Sequence, residues 1–151
     1  MRLLTHTASR YALLLASLCT QISLAQTGTE DFGPYRVHYS VFNSTQISPE
    51  IASQYELQRA NDRALVNISV NRADGDATSF GQAAKVSGTA TNLTQQQQRL
   101  DFQEIDEGRA RYYLAQVRHI NEEMYNFRIT ITPKGSETPL ELRFSQKLYT
   151  E

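Results

Sequence analysis

What this 151-residue chain lacks narrows its chemistry before any motif is read. It has one cysteine, Cys19, too few for a disulfide, and a thiol so close to the N-terminus is lost if a leader is cleaved. Histidine is almost as scarce. Beyond the first twenty-five residues only His38 and His119 occur, with no paired spacing of the kind that holds zinc. No serine sits in a Gly-x-Ser-x-Gly setting, and no glycine-rich loop precedes a helix as phosphate binding requires. No apolar run approaches the roughly 20 residues of a spanning helix. Neither sign of charge dominates, with 15 basic and 16 acidic residues.

The first twenty-five residues differ from the rest. Arg2 and Arg10 flank a polar start, Tyr11 to Cys19 is apolar, and Ser23, Leu24 and Ala25 put small residues at the two positions a signal peptidase reads. This pattern predicts a cleaved secretory signal peptide over residues 1–25 and a single exported domain over 26–151, with no transmembrane segment in the mature chain. A cysteine late in a leader is also where bacterial lipoproteins are acylated. The residue before it is then small, and here it is Leu18, so an anchor at Cys19 is not expected. The remaining 126 residues suffice for one domain that buries roughly two-thirds of its unfolded surface. Without Arg2 and Arg10, 13 basic residues face 16 acidic ones, a net of −3 that argues against nucleic acid and anionic membrane as partners.

Gln26 to Asp31 is small and polar and reads as a mobile segment before the Gly33-Pro34 turn. The best-specified local structure follows, from Tyr35 to Tyr55. Tyr35, Val37, Tyr39 and Val41 alternate with Arg36, His38 and Ser40, a strand with one apolar and one wet face. Phe42 breaks the alternation, which predicts that the strand end is covered on both sides. Asn43, Ser44 and Thr45 favour a turn, and Ser48, Pro49 and Glu50 supply the N-cap, first position and first-turn carboxylate of a short helix. Further alternating strands are predicted at Ala64 to Asn71, Ala84 to Thr91, Arg111 to His119, Tyr125 to Ile131 and Leu140 to Tyr149, with a weaker one over Leu100 to Ile105. Gln95 to Gln98 reads as a turn or exposed strand end, and the small face of Ala84, Gly88 and Ala90 lets another backbone, or a large aromatic side chain from a facing sheet, come close. The fold class is therefore all-β, an immunoglobulin-like β-sandwich of about seven strands with one short helix after the first strand.

The segments HYSVFNST (His38 to Thr45), VNISV (Val66 to Val70), KVSGTATNL (Lys85 to Leu93), YYLA (Tyr112 to Ala115) and FSQKLY (Phe144 to Tyr149) together resemble the domain of unknown function 4426 family, small periplasmic proteins of gammaproteobacteria. The resemblance spans essentially the whole mature chain and keeps the order of its segments. It implies a bacterial, periplasmic, single-domain sandwich, and it carries over no catalytic or binding residue.

Weighed one by one, the chemical candidates are weak. Asp74, Asp76 and Thr78 resemble the start of a calcium loop, but Ser79 stands where a sharp-turn glycine is needed and Lys85 where a bidentate glutamate should close it. Asp101 with Glu104, and Glu122 with Glu123, are the carboxylate pairs a cell-wall hydrolase would need, although such residues are ordinary in turns and on wet strand faces. His38 and His119 read as edge or wet-face histidines. Asn43 and Asn92 read as hydrogen-bonding turn residues, and the strand tyrosines as sheet packing with their hydroxyls kept wet. No catalytic residue, metal site or cofactor is expected. The functional expectation is a non-catalytic interaction or accessory module with an unknown periplasmic protein or cell-envelope component as partner, and with Asn43, Ser44 and Thr45 as the binding site because sandwich end loops are where such domains bind. The alternatives are a small-ligand carrier with a cavity between the sheets and, more distantly, a cell-wall hydrolase.

Overall fold

Period-two alternation of β-branched and aromatic residues suits a pleated, half-buried strand. Each stretch that carries it is a strand in the computed structural model, which describes residues 26–75 and 81–150. In chain order the elements are β1 (Gln26–Phe32), β2 (Tyr35–Asn43), a 3-10 turn (Ser44–Gln46), α1 (Pro49–Gln54), β3 (Arg63–Arg72), β4 (Ala84–Asn92), β5 (Gln97–Leu100), β6 (Gln103–Asp106), β7 (Arg111–Arg118), β8 (Glu123–Pro133) and β9 (Leu140–Leu148). Residues 1–25, read from sequence as a signal peptide, and Asp76, Thr78 and Ser79 of the candidate calcium loop lie outside the described residues.

The strands form a five-stranded sheet in the order β1-β2-β3-β7-β6 and a four-stranded sheet in the order β5-β4-β8-β9, and every pairing is antiparallel. Taken in sequence, β2, β3, β7 and β6 occupy the A, B, E and D positions of an immunoglobulin domain, and β5, β4, β8 and β9 the C′, C, F and G positions. β1 is an addition on the A edge. The inward residues Val37, Val41, Val66, Ile68, Ala115, Phe127, Ile129 and Leu142 make one core between the sheets.

Two expectations about the strands need correction. Gln26 to Asp31 is not a mobile segment but part of β1, paired with β2 along its whole length. From Thr27 to Phe32 its side chains are exposed or half-buried, so nothing in its pattern signals a strand, and backbone pairing holds it instead. Gly28 makes that pairing possible, because a Cβ there would lie 2.1 Å from Tyr39 Cζ, whose ring covers the glycine. The weak strand over Leu100 to Ile105 is two strands, with β5 in one sheet and β6 in the other. Nine strands therefore stand among the described residues rather than about seven, and the helix follows the second. At Gly88, of the two occupants expected for the small face, it is the neighbouring backbone that comes close, since a Cβ would meet the Arg128 carbonyl at 2.8 Å and Ile129 Cγ1 at 3.1 Å.

The helix forms as its residues dictate. Ser48 Oγ accepts from the Ile51 amide at 3.3 Å, Pro49 opens the helix, and Glu50 sits in the first turn. Ala52 and Leu57 pack with Leu65, Phe42, Tyr55 and Leu114 on the outer face of the five-stranded sheet. That second small core is why Phe42 departs from alternation and why β7 is apolar on both faces.

No disulfide joins the sheets, so other contacts must. Tyr39 from β2 stacks on Phe144 from β9 at 4.5 Å between centroids, and Phe144 stacks on Phe127 from β8 at 4.8 Å. Tyr113 of β7 reaches the start of β4, where its hydroxyl accepts from the Ala84 amide at 2.7 Å. Gln98 of β5 exchanges two hydrogen bonds with the Arg118 backbone of β7, at 2.7 and 3.1 Å. Tyr125, at the start of β8, forms the tyrosine corner of immunoglobulin-like domains. Its hydroxyl accepts from the Ile120 amide at 3.3 Å and donates to Glu123 Oε2 at 2.7 Å, while Glu123 Oε1 accepts from Asn92 Nδ2 at 2.9 Å. Burial, then the Glu123 carboxylate, pushes the Tyr125 hydroxyl up to about 12. Tyr113 and Tyr125 are 3% and 2% exposed, so their hydroxyls are bonded within the protein rather than kept wet.

Removing the corner hydroxyl takes the partner from the Ile120 amide and from Glu123 Oε2 while keeping the ring. Tyr125→Phe should lose about 1–3 kcal/mol, read as a lower urea midpoint with an unchanged m-value. A variant as stable as the parent would show that the corner contributes nothing to holding β7, β8 and the β4–β5 turn together.

Candidate functional site

The two sheets differ on their outer faces. That of the five-stranded sheet is partly roofed by α1 and its apolar contacts, whereas no helix covers that of the four-stranded sheet among the described residues. On this second face the outward residues of β4, β8 and β9 are polar apart from Met124, and Thr89, Thr91, Gln95, Gln97, Asn126, Arg128, Arg143 and Ser145 line an open cleft of about 610 Å³. The β4–β5 turn forms one wall, with Gln95 in a left-handed conformation at φ +64°.

Charge is concentrated here. The four strands carry Lys85, Arg99, Arg128, Arg143 and Lys147 against only Glu123 and Glu141. Glu123 is occupied by Tyr125 and Asn92, and Glu141 accepts from Thr130 Oγ1 at 2.8 Å. Arg99 is paired with Asp101 at 2.9 Å. Arg128 and Arg143, by contrast, are register partners in the β8–β9 ladder, both exposed, and neither has an ion-pair partner among the described residues. Like charges directly opposite one another destabilise a strand pair.

At the end of the sandwich next to the cleft, three large apolar side chains face solvent. Leu93 in the β4–β5 turn is 68% exposed, Ile120 at the β7–β8 corner 63%, and Tyr149 after β9 43%. Asn92 organises this end. It is 2% exposed, donates to Gln96 Oε1 and Glu123 Oε1, and accepts from Thr94 Oγ1 and the Gln96 amide.

The sequence-derived binding residues lie at this same end, where β2 passes into the connection to β3. Asn43 closes β2 opposite Ala64 and is buried, with no side-chain cap on the 3-10 turn. Ser44 is fully buried, and its hydroxyl donates to the Ala60 carbonyl at 3.1 Å and accepts from the Ala60 amide at 3.0 Å. Thr45 is half-buried, and its carbonyl accepts from Arg59 Nη2 at 2.9 Å. The cleft was not singled out from sequence. Its signal is the alternation of β8 and β9, which puts Arg128 and Arg143 on the wet face of each strand but cannot show that they lie opposite one another.

The remaining candidates are dispersed or engaged. His38 Nδ1 lies 3.0 Å from Thr29 Oγ1 on the outer face of the β1–β2 pair, at a register position opposite Ser69. His119 lies near the other end of β3, its amide bonded to the Asp62 carbonyl at 2.9 Å. Six residues of strand separate these positions, about 20 Å along β3, so the two imidazoles do not converge. Asp101 binds Arg99, Glu104 binds Arg111 at 3.1 Å, and Asp74 is forked onto Arg72 at 2.9 and 3.0 Å. Among the described residues no three of His, Cys, Asp and Glu gather as a metal ion requires. No described helix is long and apolar enough to cross a membrane.

His119 corrects its sequence reading. It is 3% exposed rather than at a wet edge, and its Nε2 has no hydrogen-bond partner. Burial lowers its pKa below the ordinary 6.5, opposed by the Ile120 carbonyl and Asp62. The unfolded chain therefore takes up a proton that the folded chain resists, and stability should fall as pH drops below about 6.5. His119→Gln should flatten that slope between pH 7 and pH 5 in urea titrations. An unchanged slope would show that His119 is not the group responsible.

A second measurement concerns the arginine pair. Arg143→Glu replaces a like-charge opposition with an ion pair across β8–β9 and should raise stability by roughly 0.2–1 kcal/mol. A fall in the urea midpoint would show that the opposed guanidinium groups are not strained.

No curated protein matches the chain. Solved structures do. A crystal structure of a DUF4426 family protein from Pseudomonas aeruginosa PAO1 is 29% identical with a TM-score of 0.73, over 83% of this chain and 96% of that one. FetP from uropathogenic Escherichia coli strain F11 is 12% identical with a TM-score of 0.58, over 85% and 97% of the two chains. A copper-bound variant of FetP is 14% identical with a TM-score of 0.55, over 83% and 91%. The two FetP matches are likenesses of fold, and the copper is a property of that protein. The model of the family described as "Domain of unknown function (DUF4426)" matches residues 29–151, almost the whole of the folded chain, and the chain belongs to that family.

Proposed function

We propose that this protein is a non-catalytic interaction or accessory module of the periplasm, and that it meets its partner through the uncovered face of the four-stranded sheet and the adjoining end of the sandwich. The observation that carries this reading is the asymmetry of the outer faces. One is roofed by α1; the other is an open polar cleft with two unpaired arginines, bordered by the exposed Leu93, Ile120 and Tyr149. Contact surfaces combine apolar anchors with charged groups that steer and orient the partner. The Asn43 to Thr45 turn belongs to the same end, with Thr45 as its least enclosed member, and the partner is a periplasmic protein or cell-envelope component.

A carrier cavity between the sheets has less support, because the small face of β4 is closed by Ile129 and the interior by the Tyr39, Phe144 and Phe127 rings. A hydrolase has less still, because Asp101, Glu104 and Glu123 are each bound by a neighbouring side chain. Export through cleavage after Ala25, without an anchor at Cys19, completes the proposal.

A photo-crosslinking residue substituted at Leu93, Ile120 or Thr91, followed by purification from whole cells, tests it. The same partner should be captured from these positions and not from Gln54 on α1. Capture from Gln54 alone, or from none of them above background, would overturn the assignment of the surface. The intact mass of the purified protein should correspond to a chain beginning at Gln26, and a lipid adduct on Cys19 would overturn the proposed route.

A further inference from the structure

The chain partners its arginines consistently. Of the ten among the described residues, Arg36, Arg72, Arg99, Arg111 and Arg118 each bind one or two carboxylates. Arg59 binds the Thr45 carbonyl and Arg63 the Gln58 side chain. Three guanidinium groups remain without a partner among the described residues. One is Arg109, in the exposed β6–β7 turn; the other two, Arg128 and Arg143, face each other across a ladder. A single unpaired arginine in a turn is unremarkable. Two in register, in a cleft whose lining contains no carboxylate, are not explained by solubility alone.

We propose that Arg128 and Arg143 form an oxyanion site for a phosphate- or carboxylate-bearing ligand. This deepens the proposed function and rests on its assignment of the contact face. The guanidinium group offers donors in a planar fork that fits these oxyanions, and two forks on neighbouring strands can share one anion, whose charge relieves their mutual repulsion. The flanking groups suit the task. Thr89 is the register neighbour of Arg128 on β4, and Asn126 and Ser145 pair one step along the β8–β9 ladder. Ser145 Oγ donates to Asn126 Oδ1 at 2.6 Å, which leaves the Asn126 amide nitrogen to donate outward. A cleft of about 610 Å³ is far larger than one phosphate, so the anionic group is the head of a larger molecule, with the remainder lying over Thr91, Gln95 and Gln97.

The test is a titration of the mature chain with inorganic phosphate and, separately, with acetate at low ionic strength, followed by NMR of the arginine Nε–Hε groups and the backbone amides. The expected result is a saturable, millimolar-range shift of Arg128, Arg143, Asn126 and Thr89 that weakens as sodium chloride is added. Arg128→Gln and Arg143→Gln should each weaken binding at least tenfold, and Arg109→Gln should leave it unchanged. A stronger response to phosphate points to a phosphoryl ligand, and one to acetate points to a carboxylate. Equal shifts at Arg109, or affinity unaltered by Arg128→Gln, would overturn the site. If neither anion binds while crosslinking from Leu93 persists, this site falls and the contact surface stands. If the anions bind but no partner is captured, the site stands and the partner surface falls.

Discussion

The structure depends on keeping two sheets closed over one apolar layer with no covalent tie between them. Inward alternation supplies the layer, from Val37 and Val41 on β2 to Ile129 and Ile131 on β8, but burial is not directional and does not by itself fix how one sheet sits on the other. Groups with definite geometry do that here, placed around the core. The Tyr39, Phe144 and Phe127 rings bridge the sheets on the β2–β9 side, and the Gln98 amide joins β5 to β7. The Tyr125 corner ties β7, β8 and the β4–β5 turn through Glu123 and Asn92. Each is a polar or aromatic contact whose partners, the Ile120 amide apart, are already held by the ladders. Such bonds cost little further ordering, and losing one partner leaves the other stranded in a nearly dry place.

The outer faces follow a different rule. Where the five-stranded sheet presents Phe42, Leu65 and Leu114 outward, the chain supplies α1 to cover them, and that small core accounts for most of the apolar residues that break alternation. The four-stranded sheet needs no cover because its outward residues, Met124 apart, are polar. It could have been stabilised by alternating charges across its ladders, as Asp31 and Arg36 are beside β1 and β2, where the Arg36 guanidinium holds the Asp31 carboxyl below its ordinary range. Instead, two arginines are opposed. A local choice that works against stability without an evident structural gain is where a functional constraint is expected.

Much of the fold was legible in the sequence, because alternation, the Ser48-Pro49-Glu50 cap and the turn residues are local signals. β1 was not legible, since it owes its place to the free edge of β2 and to the ring of Tyr39 lying on Gly28 rather than to any apolar face of its own. His119 was read as wet because strand parity does not say whether a strand end is roofed by a neighbouring corner, and here it is. The buried hydroxyls of Tyr113 and Tyr125 escaped notice for the same reason, as their partners are the amide of Ala84 at the start of β4 in the other sheet and that of Ile120 in the β7–β8 connection, neither of which a local pattern places. The end that carries Asn43 to Thr45 was chosen from the habit of the fold class rather than from any residue pattern. The cleft beside it depends on the β8–β9 register, which a turn from Lys134 to Pro139 sets to within one residue and alternation does not.

Total charge was misleading about this face. Residues 26–151 are acidic by three charges, which suggests indifference to anions. Yet the four strands β4, β5, β8 and β9 hold five basic and two acidic residues, an excess of three positive charges, so the remainder of residues 26–151 is acidic by six. At physiological salt, screening over roughly 8 Å means that a ligand entering the cleft responds to the residues lining it rather than to the sum over the molecule. The acidic remainder still acts at longer range, disfavouring large polyanions that would extend past the sheet while permitting a single phosphate or carboxylate within it. Segregation of this kind separates an anionic group from an anionic polymer. It also explains how one chain can discourage nucleic acid by its net charge and still place two free guanidinium groups side by side.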